Sequence, residues 1–192
     1  MWTNSRKKYS LIFLFVLLIG LILGIIFVIN LRDSLFENIS SNLLIWQKNL
    51  TNFHFNNILP HLLLIPFLLI FSLYFIGLPL NIFYIFYNGF SIGFIISCLT
   101  KLWGFNGLLY GFCYCFINKG IFILLLFLLY LLIMNVVEKN FHKIFKKDIH
   151  GTSIIKNNFK KCGIIYIIIF INDLLIYFLG GKFLNIFNFL LK

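Results

Sequence analysis

Between residues 58 and 100 the chain runs as one apolar stretch of 43 residues. A hydrocarbon core of roughly 30 Å takes about 20 helical residues at 1.5 Å each, so this stretch is too long for one crossing and long enough for two. It is interrupted at Gly77-Leu78-Pro79. Proline disfavours a helical residue before it and glycine frees the backbone, so the interruption reads as a tight turn between antiparallel spans at 58–76 and 80–99. Pro60 falls where the missing N–H costs least, and Pro66 adds a kink.

The rest of the chain has the same character. It is 61% apolar and 11% charged, which excludes an ordinary soluble globule. A first span at 10–31 follows Arg6-Lys7-Lys8; it is too long for a typical signal-peptide core and no A-x-A-like cleavage site follows it. Residues 107–137 are too long for one upright helix and too short for two. The preferred reading is a re-entrant or broken half-helix at 107–118, a break at Asn118-Lys119-Gly120, and a full span at 121–137. A last span at 163–179 ends at Gly180-Gly181, leaving a short tail that either lies outside or extends the helix. The expected fold is all-α: a polytopic helical membrane bundle of about five spans plus the half-helix, in a single domain over residues 1–192.

Charge sets the orientation. Ten of the 16 basic residues fall in 6–8 and 139–161, flanking apolar runs rather than forming a stripe on a soluble face. This is a topology signal, not a nucleic-acid footprint, and it puts both segments in the cytoplasm and the C-terminus outside. A re-entrant 107–118 keeps the count consistent; a full crossing there in addition to 121–137 puts the basic loop at 138–162 on the wrong side. In that loop Phe141, Ile144, Phe145 and Ile149 oppose Lys143, Lys146 and Lys147, as in an interfacial helix drawn to anionic lipid. On the other side, Leu35, Phe36, Ile39, Leu43, Trp46 and Leu50 recur at helical spacing within 33–57, an amphipathic segment on the outer surface capped by Asp33 or Ser34.

Chemistry-bearing residues are sparse. Five acidic residues, with no P-loop, G-x-S-x-G elbow or paired carboxylates, leave no basis for an enzyme. The four histidines are scattered, and Cys113-x-Cys115 lacks zinc-knuckle spacing, so neither a metal nor a cofactor is expected. Asn38-Ile-Ser40 and Asn49-Leu-Thr51 match the glycosylation sequon by chance in so Asn-rich a chain. Lys119 at the break and Asp173 near the middle of the last span are the two ionisable groups inside the membrane zone. Each costs about 2.5–3.5 kcal/mol on insertion scales. Either they pair, or Lys119 snorkels to an interface while Asp173 is bonded with Asn172. Gly20/Gly24, Gly89/Gly93 and Gly107/Gly111, each four apart, suit close helix packing.

In order, these features resemble the stage II sporulation protein M family over nearly the whole chain. The matching pieces are the basic N-terminus and first span, the outer segment reaching Asn56-Asn57, a span ending in Ile76-Gly77-Leu78-Pro79-Leu80, and Tyr87-Asn88-Gly89-Phe90-Ser91-Ile92-Gly93-Phe94. Then come Trp103-Gly104-Phe105-Asn106-Gly107, a broken segment, and an acidic residue in the last helix, Asp173. Two departures are the break, which reads Ile117-Asn118-Lys119-Gly120 where the family usually has a proline, and aspartate where it often has glutamate. The resemblance implies a multi-pass protein of the bacterial cell membrane. It implies a non-enzymatic scaffold of the engulfment machinery that holds two peptidoglycan-degrading enzymes, stage II sporulation proteins D and P, at the septum. Self-association is left open. The alternative is a transporter or substrate-binding membrane subunit with a midplane polar site at Asn88, Asn118, Lys119 and Asp173.

Overall fold

A computed structural model describes residues 4–48, 59–71, 77–146 and 151–187 of the chain. Every element among them is helical: α1 (Asn4–Ile29), α2 (Asp33–Lys48), α3 (Leu59–Phe71), α4 (Gly77–Cys115), a π-turn (Phe116–Gly120), α5 (Ile121–Lys146) and α6 (Gly151–Ile186). Helices satisfy their backbone N–H and C=O groups internally, as segments this apolar require in lipid. Three helical stretches, Lys7–Ile29, Gly77–Glu138 and Asn157–Gly180, are long and apolar enough to cross a membrane, which marks the chain as a membrane protein.

The middle stretch has 62 residues. Straight, it would extend about 90 Å, three times the hydrocarbon core. It folds back at Gly104, whose φ of 61° and ψ of −137° lie where side chains other than hydrogen are strained. Past Gly104 the chain lies on the helix it has just left. A Cβ on Gly107 would fall against the carbonyl of Leu99, and one on Gly111 against the Cα of Ile96. Further along, Lys119 meets Asn88 and the Phe122 ring packs edge-on to Tyr84, with centroids 6.5 Å apart. The pairs diverge steadily from Gly104, so residues 105–146 run back as one helix.

This corrects the expected half-helix. Residues 107–118 do not turn back at Asn118-Lys119-Gly120, because the backbone there passes through a π-turn and enters α5 at Ile121 with ordinary helical angles. The helix interruption is present and the reversal is not. A π-turn admits one extra residue per turn without changing the helix direction, so a polar, glycine-containing triplet marks a wide turn rather than an exit.

α1 packs parallel to the first half of α4 at backbone contact. A Cβ built on Gly20 would sit 2.3 Å from the Phe86 carbonyl oxygen, and one on Gly24 2.3 Å from that of Phe90. From the other side, Gly89 and Gly93 leave the same kind of space for the carbonyls of Leu17 and Leu21, at 2.3 and 2.1 Å. Lower down, Phe13 of α1 sits edge-on to Phe127 and near Tyr130, 5.1 and 5.6 Å between centroids. The Tyr9 hydroxyl donates to Glu138 at 3.2 Å. Ile65, Leu68 and Leu69 of α3, Ile85 of α4, Phe122, Leu129 and Ile133 of α5 and Ile169 of α6 complete this core.

α6 is a single helix through Gly163 and Gly180-Gly181, so the expected stop at residue 179 does not occur and the helix takes in the tail as far as Ile186. Each glycine costs a helix about 1 kcal/mol, less than an unpaired backbone group costs in lipid. Leu184, fully buried with Leu99 and Tyr110, holds the extension in place. At α1's end, Asn30 and Leu31 close the last turn, and the Arg32 carbonyl accepts the N–H groups of Leu35 and Phe36 to open α2. Of the outer segment 33–57, the structure describes α2; Asn56 and Asn57 lie outside the described residues. The expected turn at Gly77-Leu78-Pro79 is not at those residues, which are already helical and open α4, a first turn being where proline is tolerated; residues 72–76 before them lie outside the described residues. Of the basic loop expected at 138–162, residues up to Lys146 continue α5 and those from Gly151 belong to α6, while the side chains of 141–146 and all of 147–150 lie outside the description.

Two kinds of glycine are therefore separable by experiment. Gly93→Val should lower stability by about 1–3 kcal/mol, since the added atoms meet backbone that cannot yield locally. Gly104→Ala, with open space around it, should cost a similar ~1–3 kcal/mol through backbone strain alone. Gly163→Ala, which also meets nothing within 4 Å, should be neutral or stabilising by up to about 1 kcal/mol. Thermal unfolding in detergent checks the set; a neutral Gly93→Val would refute the close α1–α4 approach.

Candidate functional site in the membrane interior

Polar side chains inside the bundle converge on α4, the π-turn and α6. On α4, Asn81, Tyr84 and Asn88 recur at i, i+3 and i+7, so one face of an otherwise apolar helix carries three polar groups. All three are buried, Asn88 with 1% of its surface exposed. Asn81 and Asn88 each donate their amide N–H to the carbonyl four residues back, Gly77 at 2.7 Å and Tyr84 at 2.9 Å. Anchoring the Asn88 amide this way turns its oxygen outward from the helix, where Lys119 Nζ donates to it at 3.2 Å.

The π-turn places that lysine. Asn118 donates to the Tyr114 carbonyl at 3.1 Å, holding the wide turn, and Lys119 also lies over the Phe122 ring, 5.8 Å from its centroid. The ammonium thus has an amide oxygen on one side and a ring face on the other, both favourable to a cation away from water. Asp173 of α6, 8% exposed, completes the group. Its carboxylate is close enough to act electrostatically on both Lys119 and Tyr84. The Tyr84 hydroxyl lies beside Asn88 without a hydrogen bond of proper geometry, and the neighbouring Asn172 Nδ2 is buried with no partner.

Lys119 is also far from both ends of its helix. Lys119 is about 15 residues from the reversal at Gly104 and about 19 from Glu138, roughly 22 and 28 Å along the helix. It sits near the middle of the bundle, and its ammonium is turned inward. Opposite charges there offset part of each other's desolvation, whereas either alone is an uncompensated buried charge.

Of the sequence candidates, Asn88, Lys119 and Asp173 come together. Asn118 and Gly120 shape the turn, Asn118 being bonded to its own helix and Gly120 lying against the Phe116 ring. Gly89 and Gly93 face α1 instead, and Gly77 and Pro79 open α4, Pro79 in the first turn where its lack of an N–H is harmless. Sequence reasoning missed Tyr84 and Asn81, although their spacing from Asn88 was the available signal. It also missed two polar contacts at the bundle's ends: Tyr9 with Glu138, and Lys101, which lies 3.6 Å from Asp33 and 4.4 Å from the Phe36 ring centroid. Among the described residues no three His, Cys, Asp or Glu side chains form a group fit to hold a metal.

Lys119→Gln and Asp173→Asn should each destabilise the protein, by up to about 3–5 kcal/mol where the remaining charge stays buried. The double variant should be less damaged than the sum, with a coupling of about 0.5–3 kcal/mol in a thermodynamic cycle measured by denaturation in mixed micelles. Strict additivity would show that the two charges act independently. Comparison of the chain with protein-family models, with curated proteins and with solved structures finds no match.

Proposed function

We propose that this chain is a non-enzymatic membrane scaffold of the sporulation engulfment machinery, holding cell-wall hydrolases at the septal membrane. In this reading it crosses the membrane five times. α1 runs outward, α3 inward, α4 outward as far as Gly104, residues 105–146 inward and α6 outward, with the basic segments at 6–8 and 139–161 in the cytoplasm. A single return helix at 105–146 satisfies the charge rule with no re-entrant segment.

The observation that carries the reading is the fixing of α2. Lys101 reaches from just before the Gly104 reversal in α4 to both Asp33 and Phe36, and the link from α1 to α2 is only Asn30-Leu31-Arg32. The ion pair is worth little by itself, since Asp33 is almost fully exposed. With the short link and the ring contact, however, it fixes where α2 starts. α2 then presents Leu35, Glu37 and Asn38, all exposed, on the wall-facing side. A rigid platform with an exposed outer helix and no nucleophile–base pair suits a protein that positions enzymes. The resemblance to the stage II sporulation protein M family supplies their identity, stage II sporulation proteins D and P.

The midplane group of Lys119, Asn88 and Asp173 favours a second reading, a transporter or substrate-binding subunit, because buried charges beside an irregular helix often line solute paths.

Affinity capture from an endospore-forming host, with a photo-crosslinker at Leu35 or Asn38, tests the first reading. Both hydrolases should co-purify and crosslink at those positions, and Lys101→Ala should reduce the crosslinked yield several-fold. Capture of neither hydrolase would overturn it. Solute flux in liposomes that Lys119→Gln abolishes would establish the second reading instead.

A further inference from the structure

A groove of about 670 Å³ opens between α1, the start of α2 and α4. Its walls are apolar: Leu23, Ile26 and Phe27 of α1, Leu35 of α2, and Phe86 and Phe90 of α4. Phe27 stands edge-on to Phe90, 5.7 Å between centroids, and Phe90 continues a row of rings with Phe86 and Phe94. Arg32 stands at the α2 end.

The groove's length identifies what fits it. The apolar part of α1 runs over 10–31, and the groove occupies the half from Leu23 onward, ending at Arg32. Those eight or so residues rise about 12 Å, close to the ~15 Å depth of one leaflet's hydrocarbon. A partner's transmembrane helix would need a seam along the full span, and this groove stops near its middle. A phospholipid is apolar over one leaflet's depth and carries a phosphodiester where the hydrocarbon ends.

The charge at the mouth agrees. Asp33 is engaged by Lys101, and among the described residues Arg32 has no ion-pair partner. Its backbone is held as the first acceptor of α2, so the guanidinium projects from a fixed point, and its fork of donors matches a phosphate.

We propose that this groove is a specific site for one membrane phospholipid, its acyl chain against Phe27, Phe86 and Phe90 and its phosphodiester on Arg32. The inference is independent of the scaffold reading, since it needs only α1, α2 and α4.

Native mass spectrometry of the full chain released from phosphatidylglycerol nanodiscs tests it, with Ile26→Trp to fill the groove and Arg32→Gln to remove the headgroup partner. Leu18→Trp, on an exposed part of α1 outside the groove, is the control. All three positions are on the surface or at the rim, and folding is confirmed by thermal unfolding first. Wild type and Leu18→Trp should retain one phospholipid at equal occupancy. In Ile26→Trp and Arg32→Gln its apparent affinity should fall about tenfold, the scale of one charge-assisted contact. No lipid retained by the wild type, or the same occupancy in all four proteins, would overturn the site. A retained polypeptide in place of lipid would do the same.

Discussion

In lipid, helices gain nothing from hiding apolar surface, because the solvent is as apolar as they are; association rests on how closely their backbones approach. Here four glycines make that approach at one place. Gly20 and Gly24 admit the carbonyls of Phe86 and Phe90, and Gly89 and Gly93 admit those of Leu17 and Leu21. The contact is reciprocal, so it fixes register as well as distance: a slide of one residue would put side chains where only hydrogen fits. Both ends of the bundle inherit that register. Below it, Phe13 reaches Phe127 and Tyr130, and Tyr9 reaches Glu138. Above it, the three-residue link after α1 delivers Asp33 and Phe36 to Lys101.

The interior polar group depends on the same register through α4. Asn88 and Gly89 are adjacent in sequence and therefore about 100° apart around the helix, so the face that meets α1 and the face that meets the π-turn are set by one rotation. Turning α4 to relieve the glycine contact would carry Asn88 away from Lys119 and leave an ammonium buried without its oxygen. The packing contact and the electrostatic one thus constrain a single degree of freedom, and each discourages the rearrangement that would relieve the other.

Much of this was readable in the sequence, and the failures have a common cause. Apolar runs, charge flanks and the paired glycines of α1 and α4 are local signals, and the membrane character and helical architecture follow from them. The reversal at Gly104 and the π-turn at Asn118-Lys119-Gly120 were harder to separate, because both sites carry glycine beside polar residues and only the backbone angles distinguish an exit from a wide turn. Likewise Gly180-Gly181 has the composition of a helix end, but Leu184 is packed against Leu99 and Tyr110, a contact between residues far apart in sequence. The site was half legible. Lys119 and Asp173 stood out as charges in apolar runs, whereas Tyr84 is ordinary in so aromatic a chain until its neighbours are known.

The two proposals meet at α2. Its first turn hangs from Arg32, which closes the groove, and is fastened by Lys101 on its other side. A phospholipid seated on Arg32 restrains the same backbone that a wall-side partner would grip, so the lipid reduces the freedom α2 must lose on binding that partner. Thermodynamic linkage then works both ways: if the lipid strengthens partner binding, the partner holds the lipid more tightly by the same factor. The coupling needs no movement of the glycine-locked pair beneath. It needs only that the link between α1 and α2 remain three residues long, because a longer link would let α2 settle on a partner without regard to what occupies the groove.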